Sequence, residues 1–127
     1  MLIYAILAGG AWLFFSGALV FAVILPAWFQ SQFGEIIRDP KKLPLWAVAL
    51  EKILQSLGLC LLVLWTNLSI ALLCIVPILL VSATYLFSTY ANYRVKGKAV
   101  VIVAVLDAVR IAVAMVFVGL ILGRNLV

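Results

Sequence analysis

Histidine is absent from this chain, and only four acidic residues occur: Glu35, Asp39, Glu51 and Asp107. Without histidine the commonest general base and metal ligand is gone, and bis-histidine haem ligation is excluded. Cysteine is equally scarce. Cys60 and Cys74 both lie inside apolar runs, and neither belongs to a Cys-x-x-Cys pair. A quinone-linked disulfide enzyme would need paired cysteines in exposed loops, so these two read as small apolar packing residues. No nucleophile with an adjacent base, no metal-ligand set and no phosphate-cradling glycine loop can be assembled. The sequence therefore points to no enzyme, no cofactor and no metal site.

Charge of either sign is also thin, at 10% of 127 residues, against about 25% in a soluble domain. Apolar residues fill 69% of positions, and the mean hydropathy is +1.35. This is the composition of an integral membrane protein whose partner is the lipid bilayer. The net charge of +5 comes from cations bracketing apolar runs, which argues for membrane orientation and against nucleic-acid binding.

The runs predict an all-α fold, a four-helix transmembrane bundle in a single domain over 1–127, with spans near 3–29, 45–66, 68–90 and 99–122. No basic segment and no clear small-residue cleavage site accompany the first run, so it reads as a retained helix rather than a removed signal peptide. Thr66-Asn67 is the only polar break between the second and third spans, which implies a tight antiparallel hairpin. Pro77 should kink the third span. Gln30 to Pro44 reads as a solvated connection or a short amphipathic turn on the membrane surface.

Arg38, Lys41, Lys42, Lys52, Arg94, Lys96 and Lys98 all belong to the first and third connections or their edges. By the positive-inside rule, loops 30–44 and 91–98 face the cytoplasm of an inner (plasma) membrane, with both termini outside.

Asp107 and Arg110 interrupt the fourth span. A charge at bilayer depth costs roughly 2.5–3.5 kcal/mol on insertion scales, and residues three apart on a helix can pair to lower it. Glu51 and Gln55 on the second span, and Tyr85 and Asn92 on the third, fall in the same cytoplasmic half. The expectation is one polar cluster of Glu51, Gln55, Tyr85, Asn92, Asp107 and Arg110, shared by spans two, three and four. Small residues mark helix contacts: Gly9 and Ser16 on the first span, with Ala5 on their face, and Gly119 with Gly123 on the fourth. The Gly-x-x-x-Gly pair serves packing within one chain or between copies.

The stretch YANYRVKGKAVVIVAVLDAVR carries Asn92, Gly97, Lys98 and Asp107, and Gly119 follows it. It resembles the last hairpin of small bacterial membrane proteins of two families of unknown function, numbered 1761 and 2177. Those hairpins have an Asn near the helix end, a Gly-basic turn and an apolar run broken by an Asp. The opening SGALVFAVILPAWFQSQFG resembles the Gly-apolar-aromatic start of the same proteins. Their first span carries Trp-Tyr where this chain reads Val20-Phe21, and Arg110 has no match in the pattern. The resemblance implies four helices and an unassigned activity.

The resulting expectation is a non-enzymatic membrane protein with a polar cluster in the cytoplasmic leaflet, acting by self-association or as a subunit. The alternative is a small transporter or proton/ion pathway using the intramembrane carboxylates.

Overall fold

A computed structural model of the chain describes residues 1–34, 44–89 and 96–127. The described residues are helical, with no strand among them. Helix α1 (Leu2–Ala18) runs on through a π-helical turn at Leu19–Ile24. It stops because of Pro26, whose ring pushes the preceding residue out of the helical region. Leu25 accordingly adopts φ −121°, ψ 34°, and its N–H reaches back five residues to the Val20 carbonyl at 2.9 Å. Pro26 then opens α2 (Pro26–Phe33), where a missing N–H breaks no helical bond. The expected first span of 3–29 is thus two helices joined at a proline.

Helix α3 (Leu45–Trp65) ends when Thr66 turns extended, its hydroxyl donating to the Leu62 carbonyl at 2.7 Å. Two segments follow, α4 (Ile70–Leu73) and α5 (Ile75–Ala83), and a second π-helical turn at Thr84–Thr89 continues α5. The break at Cys74 follows the residue whose carbonyl Pro77 cannot reach as a donor. The third span is thus divided ahead of Pro77, while Cys74 between the two segments keeps helical dihedrals of φ −63° and ψ −27°. The last helix, α6 (Gly97–Ile121), is the longest.

Three helical stretches, Leu2–Ile24, Leu45–Trp65 and Gly97–Ile121, are long and apolar enough to cross a membrane; Ile70–Leu86 is apolar but shorter. Large apolar side chains such as Phe15, Leu54, Leu79 and Val105 face outward. In water such a surface would be an aggregation hazard; against lipid it is the expected exterior.

Helix α6 is central, touching α1, α3, α4 and α5, while the broadest pairing is between α1 and α3. This corrects the hairpin expectation. The turn at residues 66–69 is short, but α5 packs on α6 instead of lying along α3. Small residues permit these approaches. A Cβ on Gly9 would collide with the Ser56 hydroxyl of α3 and lie 2.9 Å from Val118 of α6. One on Gly119 would lie 2.6 Å from Ile70 of α4. Gly123 is different. It is exposed, with φ +78° and open space where a Cβ would go. The Arg124 N–H bonds the Gly119 carbonyl at 2.8 Å and the Gly123 N–H bonds that of Leu120 at 3.1 Å. That pattern is a Schellman C-cap, which needs a left-handed residue after the helix. Gly123 therefore ends α6 and makes no packing contact with the described residues of the chain, unlike Gly119.

The tail beyond it closes the same end of the molecule. Arg124 donates to the Val63 carbonyl at 2.6 Å, and the Asn125 and Leu126 carbonyls accept from Ile70 and Ala71 at 2.9 and 3.0 Å. Those first-turn N–H groups of α4 have no intrahelical partner, and in apolar surroundings each would cost several kcal/mol if unmet.

Two apolar clusters lie along α6. One gathers Leu13, Cys60, Val63, Ile70, Met115 and Val118; the other packs Phe33 against Ala99 and Val103, with Phe21, Phe29 and Tyr85 beside them. Asp107 and Arg110 sit on α6 between the two.

Candidate functional site

Arg110 is 8% exposed, so its guanidinium must meet partners inside the protein. It has five donors in a rigid fork and no acceptor. Nη1 pairs with Asp107 Oδ1, one turn earlier on α6. Nε donates to Ser16 Oγ at 2.9 Å, and Nη2 donates to the Leu13 carbonyl, both on α1. The second oxygen of Asp107 accepts from the Tyr85 hydroxyl at 2.5 Å. One ion pair thereby links α6 to α1 on one side and to the π-helical turn after α5 on the other. No buried polar side-chain atom among the described residues lacks a hydrogen-bond partner.

Local structure explains how α1 receives the guanidinium. Gly17 leaves the space: a Cβ there would lie 2.6 Å from Nη2 and 3.2 Å from Cζ. Phe21, on the π-helical turn, places its ring 5.8 Å from the guanidinium carbon, within cation–π range. Trp12 donates its indole N–H to the Arg110 backbone carbonyl at 2.8 Å. Tyr85, too, sits on a π-helical turn. These local widenings of the helix, which often accompany special sites, carry two of the side chains that meet the pair.

The residues expected from sequence divide into two groups. Asp107, Arg110 and Tyr85 come together. Glu51 and Gln55 do not join them: Lys52 Nζ lies 3.0 Å from Glu51 Oε1 and 3.4 Å from Gln55 Oε1, and Gln55 Nε2 donates to Glu51 at 3.1 Å. This second group is confined to α3, and the Glu51 side chain is 56% exposed against 16% for Asp107. No described hydrogen bond joins the two groups. Asn92 lies outside the described residues. The split lies in the partners: Glu51 turns to Lys52 and Gln55 on its own helix, while α1 brings Ser16 and the Leu13 carbonyl to Arg110.

Ser16 was expected to mark packing only. It is buried, but it also accepts from Arg110. The Leu13 carbonyl, Gly17 and Phe21 were not anticipated. Their signal was faint yet present, since Leu13, Ser16, Gly17 and Phe21 recur at helical spacing along one stripe of α1.

Among the described residues no group of three or more His, Cys, Asp or Glu side chains could hold a metal ion. Both cysteines are free thiols, and Cys74 Sγ makes a weak contact with the Ala112 carbonyl at 3.8 Å. No protein-family model, curated protein or solved structure matches the chain.

Proposed function

We propose that this is a small, non-enzymatic integral membrane protein of four spans, whose Asp107–Arg110 network serves as an internal lock and whose outward surface supports self-association or a subunit role. The observation that carries this reading is that the partners of the network all lie within the protein. Both oxygens of Asp107 accept, and each nitrogen of the Arg110 guanidinium donates, to a group of the protein itself, so the charges of both are met within the chain. Ile70–Leu86, prolonged by its π-helical turn, is taken as the fourth span. The basic connections 30–44 and 91–98 then lie in the cytoplasm and both termini outside. The resemblance to families 1761 and 2177 is consistent with four helices and adds no activity.

The competing reading is a proton or ion pathway. One observation favours it: Tyr85, Asp107, Arg110 and Ser16 form a continuous hydrogen-bonded chain across three helical segments. Asp107→Asn separates the two. For a lock, the variant loses thermal stability in detergent while proteoliposomes carry the same pH- or potential-driven flux as wild type. Normal folding with abolished flux would overturn the lock. A reporter fused to the C-terminus should be active outside the cytoplasm; cytoplasmic activity would invert the topology.

A further inference from the structure

Between α2 and the start of α6 lies an open cavity of about 230 Å³, lined by Trp28, Gln32, Lys96, Lys98, Ala99 and Ile102. It belongs to neither polar group described above. We infer that it holds the phosphate of an anionic phospholipid headgroup. This inference rests on the membrane reading above, and its test is kept separable from that reading.

The walls are fixed from beneath. Phe33 of α2 is buried against Ala99 and Val103 of α6. Phe33 also stacks on Phe29, with ring centroids 5.0 Å apart, and meets Trp28 edge-on at 6.4 Å. The Phe33 contact sets the end of α2 against the beginning of α6, and the ring contacts within α2 fix Trp28 beside it at the cavity. Lys96 and Lys98 are exposed, and among the described residues neither has an ion-pair partner. Two exposed ammonium groups and the Gln32 amide suit an anion whose oxygens accept several hydrogen bonds; lysine binds phosphate as a point charge.

Size narrows the class. Pockets for drug-sized molecules run to about 300–1,000 Å³, so 230 Å³ suits a headgroup phosphate better than a whole organic ligand. Chemistry then favours a lipid over a free anion. Ala99 and Ile102 supply an apolar wall beside the cations, which suits the junction of headgroup and acyl chain. Trp28 is the kind of side chain that settles at headgroup level. Basic pockets between helices on the cytoplasmic side are a known means of holding anionic headgroups.

The full-length chain in detergent, titrated with phosphatidylglycerol or phosphatidylcholine of matched acyl chains and read by native mass spectrometry, tests this. One phosphatidylglycerol should bind in clear preference to phosphatidylcholine. Removing both charges in Lys96→Gln/Lys98→Gln should weaken that binding about thirty-fold, or about fivefold for each lysine. Gln32→Glu, which keeps both lysines but sets a carboxylate among them, should also weaken it. Lys52→Gln, removing a charge that Glu51 pairs on α3, should not. A preference that survives in the Lys96/Lys98 variant overturns the site, and so does a comparable loss in the Lys52 variant, which would signify general attraction to charge. Inorganic phosphate that competes at millimolar concentration would make this a soluble-anion site and overturn the lipid assignment. Carbonate washing of membranes is the separate control. A chain that washes off refutes the membrane reading, whereas one that stays but shows no phosphatidylglycerol preference refutes this inference alone.

Discussion

Two polar groups occupy this apolar chain, and they are built in opposite ways. Glu51, Lys52 and Gln55 are neighbours on one helix, bonded to one another, with the Glu51 carboxylate largely open. Asp107 and Arg110 are also neighbours on one helix, but most of their remaining bonds leave it, for α1 and for Tyr85. The first group satisfies its charges without asking anything of the fold. The second is satisfied only if three helical segments are in register. Similar residue types at similar spacing thus serve a local need in one place and a global one in the other. What separates them is the neighbour each helix face meets.

The sharpest way to break this contrast is to leave one charge of the buried pair behind. Asp107→Leu strands the guanidinium and should cost about 3–5 kcal/mol, the usual range for breaking a buried pair. Removing both charges in Asp107→Leu/Arg110→Met should recover much of that loss, because no unpaired charge remains. Thermal melting in detergent measures both, and a double variant no better than the single would show that the pair's loss is not a matter of stranded charge.

Gly17→Ala comes next. Its Cβ would lie 2.6 Å from Arg110 Nη2, so the guanidinium must shift off the Leu13 carbonyl. Overpacking of this kind costs about 1–3 kcal/mol; an unchanged melting curve would mean that the fork has another seat. Tyr85→Phe deletes a single interhelical hydrogen bond and should cost about 0.6 kcal/mol, at most about 1.7. The smallest effect belongs to the other group. Glu51→Gln should stay within about 0.5 kcal/mol, as exposed substitutions do. A loss as large as that of Asp107→Leu would show that Glu51 has an interhelical partner after all and would erase the contrast.

Much of the fold was legible in the order of residues. The apolar runs located the helices within a few residues, Pro77 marked its break, and Asp107 with Arg110 declared themselves as a pair by spacing alone. The candidate site was half legible. Tyr85 was placed correctly with Asp107, since both lie near the ends of the third and fourth apolar runs that face one another. Glu51 was misassigned because equal depth in a membrane says nothing about azimuth. The capping role of Gly123 was not legible because four-residue spacing to Gly119 fits a packing stripe and a C-cap equally well, and the positive φ of +78° shows the cap.

Composition and periodicity by themselves determined that the chain is helical, with runs long and apolar enough to cross a membrane, and that the Asp107–Arg110 charges need partners. Those are properties of single helices: hydrophobic length, proline chemistry and the reach of side chains three apart. Which helix supplies the partners was decided by tertiary packing. Gly9 lets α1 approach α3 and α6 together, Gly17 leaves room for the guanidinium, and α1 thereby supplies Ser16 and the Leu13 carbonyl to Arg110. A contact between helices depends on the rotation of each about its axis, and that rotation is set by the fit of small residues on all faces at once.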